Sequence, residues 1–309
     1  HKHVLVFDRT NWKLGKIHIN LLFLGSVINK TNCLFLFVKQ VCKQKKGCST
    51  PEQRIDVLDQ FIRKFGKGKI GVIMGDREFI GQKWIQHLQK EVIPYLFRLR
   101  EKNQYILIAG QYVLLEKYFS KLKNGRRQTV HGVLINKDEK RQYKGTITAR
   151  RNQKGELMIL LHSDNINDPV ALYKTRWSIE VSFKNYKSNG TGLEDSSIKD
   201  PDRMLTLVNV LMLVHTIITK IAVDFCEMPD VMDFIKRDED LDIEKIAQHE
   251  DEEAEKIKYD RISAFKNGHV FIKNAFLHRK KKTMTQIYAL INQGFSNLIN
   301  NNTQKELSC

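Results

Sequence analysis

The segment 173–187, YKTRWSIEVSFKNYK, sets Tyr173, Arg176, Glu180 and Lys187 at offsets of three, seven and fourteen residues. On a helix, about 100° of rotation per residue brings the four side chains within an arc of roughly 60°. A tyrosine, two cations and one carboxylate then line about 21 Å of a single face. Such a face suits the tracking of a phosphate backbone, with one metal-binding group in its middle. It equally suits an amphipathic helix whose polar stripe meets water. Local signals predict a helix here: Asp168 can cap it, Pro169 fits the first helical position, and Gly190 falls where a left-handed stop belongs.

Two aspartates far upstream could join that carboxylate. In HVLVFDRTNW a short buried strand, Val4 to Phe7, delivers Asp8 at its C-terminal end, and the apolar run Ile70 to Met74 delivers Asp76 in the same way. A lone aspartate at a strand end is more often a turn or cap residue. Two of them with a helix glutamate, however, form the hard oxygen set that holds two Mg²⁺ about 3.5 to 4 Å apart for phosphodiester chemistry.

The elements that must position these groups read as follows. Val4–Phe7, Lys16–Leu24 and Leu34–Val38 form a three-strand meander. Thr50, Pro51 and Gln53 start a helix with capping-box character, and Ile55, Leu58, Phe61, Ile62 and Phe65 give it an apolar face ending at Gly66. GKGK at 66–69 lacks phosphate-loop spacing and reads as a helix-to-strand turn. A short helix spans Phe79–Glu91 and a strand spans Tyr95–Leu99. Five alternating segments follow, at Tyr105–Ala109, Tyr112–Glu116, Thr129–Ile135, Gly145–Arg150 and Leu157–Leu161. Arg203–Phe225 is helical and apolar, residues 230–260 read as acidic solvated helix, and Thr283–Leu298 as a last amphipathic helix. Trp84 and Trp177 lie in apolar helical faces and are expected in the core.

Composition bounds the class. With 309 residues, 41% of them hydrophobic, the chain can bury a substantial core. Its net charge of +17 is uneven. Residues 224–260 hold 15 acids and 5 bases, so the other 272 carry 47 bases against 20 acids. That surplus favours a polyanionic partner over a small neutral substrate. The apolar run LTLVNVLMLV is too short to span a bilayer and reads as a buried helix, so no membrane partner is expected. Cys33, Cys42, Cys48, Cys226 and Cys309 show no zinc spacing and read as reduced thiols of a cytosolic protein. The chain opens on His1 within two residues of a core strand, and reads as a fragment lacking its natural N-terminus.

The spacing Y-x2-R-x3-E-x6-K, with FDRTNW around Asp8 and GDREFIG around Asp76, resembles the insertion-sequence transposases with a DDE triad, as in the insertion-sequence-four group. The resemblance covers roughly residues 4–215. It implies an α/β fold: an RNase H-like mixed-sheet core interrupted by a β-rich insertion and followed by a helical C-terminal region. The expected divisions are 1–93 and 167–225 for the core, 94–166 for the insertion and 226–309 for the helical region. Asp8, Asp76 and Glu180 would be the catalytic metal ligands for Mg²⁺ or Mn²⁺. Tyr173, Arg176 and Lys187 would contact DNA phosphates, with Arg77 a further candidate.

The implied activity is cut-and-paste transposition on double-stranded DNA by a homodimer in a synaptic complex, in a bacterial cytoplasm at the nucleoid. A nuclease without strand transfer uses the same triad, and a non-catalytic DNA-binding remnant is a third reading. Some members stack a flipped base on a tryptophan of the insertion. Residues 94–168 hold none; Tyr105, Tyr112, Tyr118 or Tyr143 could stack on a base instead, though packing across the sheet is the commoner role of a strand tyrosine. The acidic stretch would be a solvated face or a cover for a basic groove.

Overall fold

A computed structural model describes residues 2–14, 17–28, 32–42, 49–102, 104–136, 142–186, 198, 200–225, 264–278, 281–289 and 291–292. The expectations for residues 230–260 and for Lys187 lie outside them. The chain divides into two compact units, residues 1–209 and 210–309.

The first unit is organised by one mixed sheet of ten strands. It opens with the meander of β1 (His3–Leu14), β2 (Ile17–Val27) and β3 (Cys33–Cys42), all antiparallel. Helix α1 (Pro51–Phe65) then returns the chain so that β4 (Ile70–Gly75) pairs parallel to β1. Its start is the capping box expected of it: Thr50 Oγ1 accepts from the Gln53 amide, and the Gln53 side chain accepts from the Thr50 amide. The chain leaves α1 through Gly66, at φ 86°, into a single 3₁₀ turn over Lys67–Lys69, which is what GKGK becomes.

After α2 (Gln82–Lys90), β5 (Tyr95–Arg98) pairs parallel to β4. The next five strands continue the same sheet: β6 (Tyr105–Ile108), β7 (Gln111–Leu114), the single turn α3 (Leu115–Tyr118), β8 (Arg127–Ile135), β9 (Tyr143–Arg151) and β10 (Leu157–His162). The last of them, β10, returns to lie antiparallel to β5. The sheet order is therefore β3-β2-β1-β4-β5-β10-β9-β8-β6-β7. The fold is α/β, a mixed sheet with helices, and the described elements beyond it are helical.

Period-two alternation sorts the core strands' side chains. Leu5, Phe7, Leu22 and Leu24 face one way and pack with Val57, Leu58 and Phe61 of α1 and Trp84, Ile85 and Leu88 of α2. Phe7 meets Trp84 edge-on at 5.6 Å between ring centroids, and Trp84 is fully buried as predicted. Asp8 belongs to the alternate set, directly across from Phe23. On β9, Tyr143 is a core residue, and burial pushes its phenol well above the ordinary range.

Helix α6 (Pro201–Phe225) is longer than the apolar run that announced it. Asp202–Ala222 is long and apolar enough to cross a bilayer by length and composition, but a packed helix of a soluble domain passes the same test. It is not the wholly buried helix expected: Val210, Leu213 and Val214 are exposed while Met204, Val208, Met212 and Ile221 are buried. A full helix of this length must put part of its circumference outside any one packing face.

In the second unit, α6 residues pack on α7 (Ala264–Leu277), where Ile221, Phe271, Ala275 and Ile287 form a small core. His215 stacks on Phe265 at 4.5 Å, and burial pulls its imidazole down to about 4. A Cβ on Gly268 would lie 2.2 Å from the Ile218 carbonyl oxygen. Gly268→Ala is therefore expected to lower the unfolding temperature of this unit. The forced separation of the helices costs about 1 to 3 kcal/mol, more than the roughly 1 kcal/mol gained in helix propensity. An unchanged midpoint in thermal unfolding would show that the helices separate without cost.

Candidate active site

The parallel register of β1 and β4 is Val4 with Val72, Leu5 with Ile73 and Val6 with Met74. Asp8 and Asp76 each lie two residues beyond the last of these pairs. The two carboxylates thus fall level with each other in the register, close enough for the Asp76 charge to act on Asp8. Asp76 does follow the end of its strand. Asp8 does not: β1 continues to Leu14, but only against β2, so Asp8 marks where β1 parts from β4. The long hairpin with β2 keeps β1 extended past the point predicted from its apolar run.

The third carboxylate comes from the helix predicted around residue 173, with a correction. Asp168 caps it by accepting from the Ala171 amide at 3.1 Å, and Pro169 occupies the first turn. The helix is not continuous. It forms α4 (Pro169–Lys174) and α5 (Trp177–Lys184), joined by a tight turn in which the amides of Thr175, Arg176, Ser178 and Ile179 each bond to the carbonyl three residues back. Three-residue winding eclipses i and i+3. Arg176 accordingly lies over Tyr173, its guanidinium carbon 5.8 Å from the ring centroid. The roughly 60° arc expected of a regular helix is thus replaced by a tighter stacking of its first two members.

Helix α5 is pinned to the meander. Ser182 Oγ donates to the Cys33 carbonyl at 2.8 Å and accepts from the Cys33 amide at 3.3 Å, tying α5 to β3. Phe183 packs on Phe23 and Phe35, and Tyr186 on Phe35. Glu180 is thereby held over the face that carries Asp8. Trp177, expected in the core, is 61% exposed on this helix. The tight turn rotates it away from the buried side taken by Ser178, Ile179 and Ser182.

One guanidinium connects the site. Arg176 donates to Asp8 Oδ2 at 3.1 Å and also to Glu180 Oε1. Both Arg176 and Asp8 side chains are only 15% exposed. Burial raises the Asp8 carboxyl to about 7; Arg176 and the Arg9 amide oppose that rise, while the charges of Asp76 and Glu180 add to it. Burial pulls the Arg176 guanidinium down, but Tyr173, Asp8, Glu180 and Asp76 outweigh it and hold it above its ordinary value. Tyr173 is pushed up to about 12 by burial. The structure thus gathers Asp8, Asp76, Glu180, Arg176 and Tyr173. It does not bring Arg77 to them: Arg77 faces Glu101 at 3.9 Å.

Two of the three carboxylates share one guanidinium, leaving a negative surplus around a buried oxygen donor, and hard oxygens of this kind suit Mg²⁺ or Mn²⁺. Among the described residues no group of three or more His, Cys, Asp or Glu side chains is gathered tightly enough to hold a metal ion. Arg176 stands between two of the three, so the donor set fits a hard cation only when the guanidinium turns aside. Three residues that the sequence does not single out join the site: the Arg9 and Glu78 amides donate to Asp8 and Asp76, and Arg54 donates to the Glu78 carbonyl. The signal available was that Arg9 and Glu78 are charged residues inside the two aspartate motifs.

The family model for the transposase DDE domain matches residues 2–217 of this sequence, more than half of the chain. The chain belongs to the transposase DDE-domain family. No curated protein matches it. Among solved structures, it is similar to a piggyBac transposase determined by cryo-electron microscopy as a synaptic complex with hairpin DNA. That likeness has 12% sequence identity and a TM-score of 0.37, and covers 62% of this chain and 43% of that one. The match thus spans less than half the length of that transposase. The family's matched span includes both aspartates, strands β6 to β10 and the α4–α5 pair.

Proposed function

We propose that this chain is a DNA transposase of the insertion-sequence-four type that cleaves strands at transposon ends and transfers the freed 3′ end to target DNA. The observation that carries this reading is the meeting of Asp8, Arg176 and Glu180, two of them 168 residues apart in sequence, through one guanidinium.

In this reading Asp8, Asp76 and Glu180 are the catalytic carboxylates and the ligands of two Mg²⁺ ions, for which Mn²⁺ can substitute. Bound metal supplies Lewis-acid polarisation of the scissile phosphate and eases ionisation of the attacking water or hydroxyl. The residues of the chain do the positioning. Arg176, released from the carboxylates, meets a phosphate oxygen with a planar two-donor fork. Tyr173 buttresses the guanidinium from beneath, and Lys187 completes the phosphate-facing set of the Y-R-E-K signature. Double-stranded DNA is the partner, two copies of the chain hold paired ends, and the flanking cut passes through a hairpin. The reaction takes place at the bacterial nucleoid.

The test is cleavage of a labelled duplex carrying the element's own ends, with Mg²⁺, comparing the chain with Asp76→Ala. Metal-dependent nicking that the variant loses by at least about 10²-fold is expected, since a metal-holding carboxylate is removed. Transfer products from a precut end separate a transposase from a nuclease on the same core. Salt-sensitive binding without cleavage by either protein would instead identify a DNA-binding remnant.

A further inference from the structure

We propose that Arg9 and Glu78 are positioning residues, forming an ion-paired strap across the ends of β1 and β4 that sets the spacing of Asp8 and Asp76. The proposal rests on the reading of those two aspartates as the metal-holding pair.

The backbone itself leaves their spacing loose. Pairing between β1 and β4 stops at Val6 and Met74, and beyond it β1 pairs with β2 while Gly75 pairs with Phe97 of β5. The two strand ends are therefore free to splay, and the like charges of Asp8 and Asp76 favour splaying. What crosses the gap is Arg9 Nε donating to Glu78 Oε1 at 2.7 Å, with both side chains about one-fifth exposed (20% and 18%). This is a partly desolvated, charge-assisted bond in a setting where surface screening is weak.

Each end of the strap is held by a further bond. The second arm of Arg9 donates to Asn20 Oδ1, on a fully buried residue of β2. The Glu78 carbonyl accepts from Arg54 at 3.1 Å; Arg54 is itself buried, bonded to Ser49 Oγ at 2.8 Å and to the Ser49 carbonyl at 2.7 Å, with its guanidinium 5.0 Å from the Phe79 ring centroid. A buried arginine on α1 thus holds the turn that follows Asp76.

The strap reaches the carboxylates through the backbone. The amide of Arg9 donates to Asp8 Oδ1 at 2.7 Å, and the amide of Glu78 donates to Asp76 Oδ1 at 2.8 Å. The residue whose side chain makes the strap is therefore also the residue whose N–H aims the neighbouring aspartate. Moving Arg9 or Glu78 moves the bond that orients Asp8 or Asp76. A pair that served only to stabilise the fold would not need both partners to carry those two amides.

The test is a double-mutant cycle on the full chain with Arg9→Met, Glu78→Met and the double variant. Mn²⁺ affinity is read by electron paramagnetic resonance of free Mn²⁺, and folding by circular dichroism. Each single variant is expected to weaken Mn²⁺ binding about tenfold, and the double variant no more than either single. Arg9→Lys keeps the charge but offers one nitrogen in place of the two that reach Glu78 and Asn20, and is expected to recover part of the loss. Wild-type Mn²⁺ affinity in both single variants, additive losses in the double, or no recovery in Arg9→Lys would each overturn the strap while leaving the metal-site reading intact. Absence of Mn²⁺ binding in the wild-type chain, unchanged in Asp8→Asn, would overturn both.

Discussion

Glu180→Gln is expected to lower strand cleavage at a transposon end by about 10³-fold while changing DNA affinity by less than about threefold. The first figure is the scale at which removing one pre-organised charge from a reacting centre is felt. Gln keeps the shape of the side chain but exchanges an anionic oxygen for a neutral amide, a poor ligand for a hard divalent cation. The second figure follows from what the substitution leaves alone. Helix α5 is held by Ser182 on the Cys33 backbone, by Phe183 on Phe23 and Phe35, and by buried Ile179, none of which touches the Glu180 carboxylate.

Arg176 exchanges an anionic acceptor for a neutral amide oxygen and retains Asp8 at 3.1 Å, so the guanidinium stays in place. The Glu180 side chain is 36% exposed, and the thermal midpoint is expected to move little. Single-turnover cleavage with fluorescence anisotropy on the same duplex measures both quantities. Cleavage retained within tenfold of wild type would remove Glu180 from the catalytic set.

Much of the scaffold behind this prediction is legible in the sequence, because the signals are local. The apolar runs Val4–Phe7 and Ile70–Met74, the Thr50–Gln53 box and the Asp168–Pro169 start each involve residues within a few positions of one another. The structure keeps all of them. What the sequence hides is decided across space. Asp8 looks like a strand end because the apolar run stops at Phe7, yet the β2 hairpin carries β1 to Leu14. The turn at Thr175 and Arg176 preserves helical dihedrals at Arg176, so no breaker residue announces it. It nevertheless carries Trp177 out of the core.

Helix α7 is unannounced for a related reason. AFKNGHVFIKNAFL carries a glycine and two asparagines, all poor helix formers in water. Gly268 is there because the Ile218 backbone comes too close for any side chain, a demand that only the folded unit makes. The Arg9–Glu78 bond joins residues 69 positions apart, and no pattern in a single sequence links them. The two motifs that contain them are visible; the contact between the motifs is not.

Arg176→Ala is expected to move metal binding and DNA cleavage in opposite directions. The guanidinium bonds to both Asp8 and Glu180, and charge-assisted bonds of this kind contribute about 1.5 to 3 kcal/mol each. A cation that takes those carboxylates must first take them from Arg176. Without the guanidinium, Asp8 faces Asp76 and Glu180 with its main opposing charge gone, so its carboxyl, already raised to about 7, rises further. The site then favours whichever positive species arrives, a proton or a divalent ion.

Which of the two wins depends on pH, with a definite sign. At pH 8.5 protons are scarce, and Mn²⁺ affinity is expected to rise about tenfold, or about 1.4 kcal/mol, over wild type. At pH 6 the raised Asp8 is protonated and the gain disappears. Cleavage is expected to fall at both values, by about 10²-fold or more, if Arg176 is the phosphate-facing fork proposed above. Isothermal titration with Mn²⁺ at the two pH values, beside single-turnover cleavage, separates the effects. Metal affinity that falls together with cleavage would mean that Arg176 supports the metal-binding arrangement instead of competing with it.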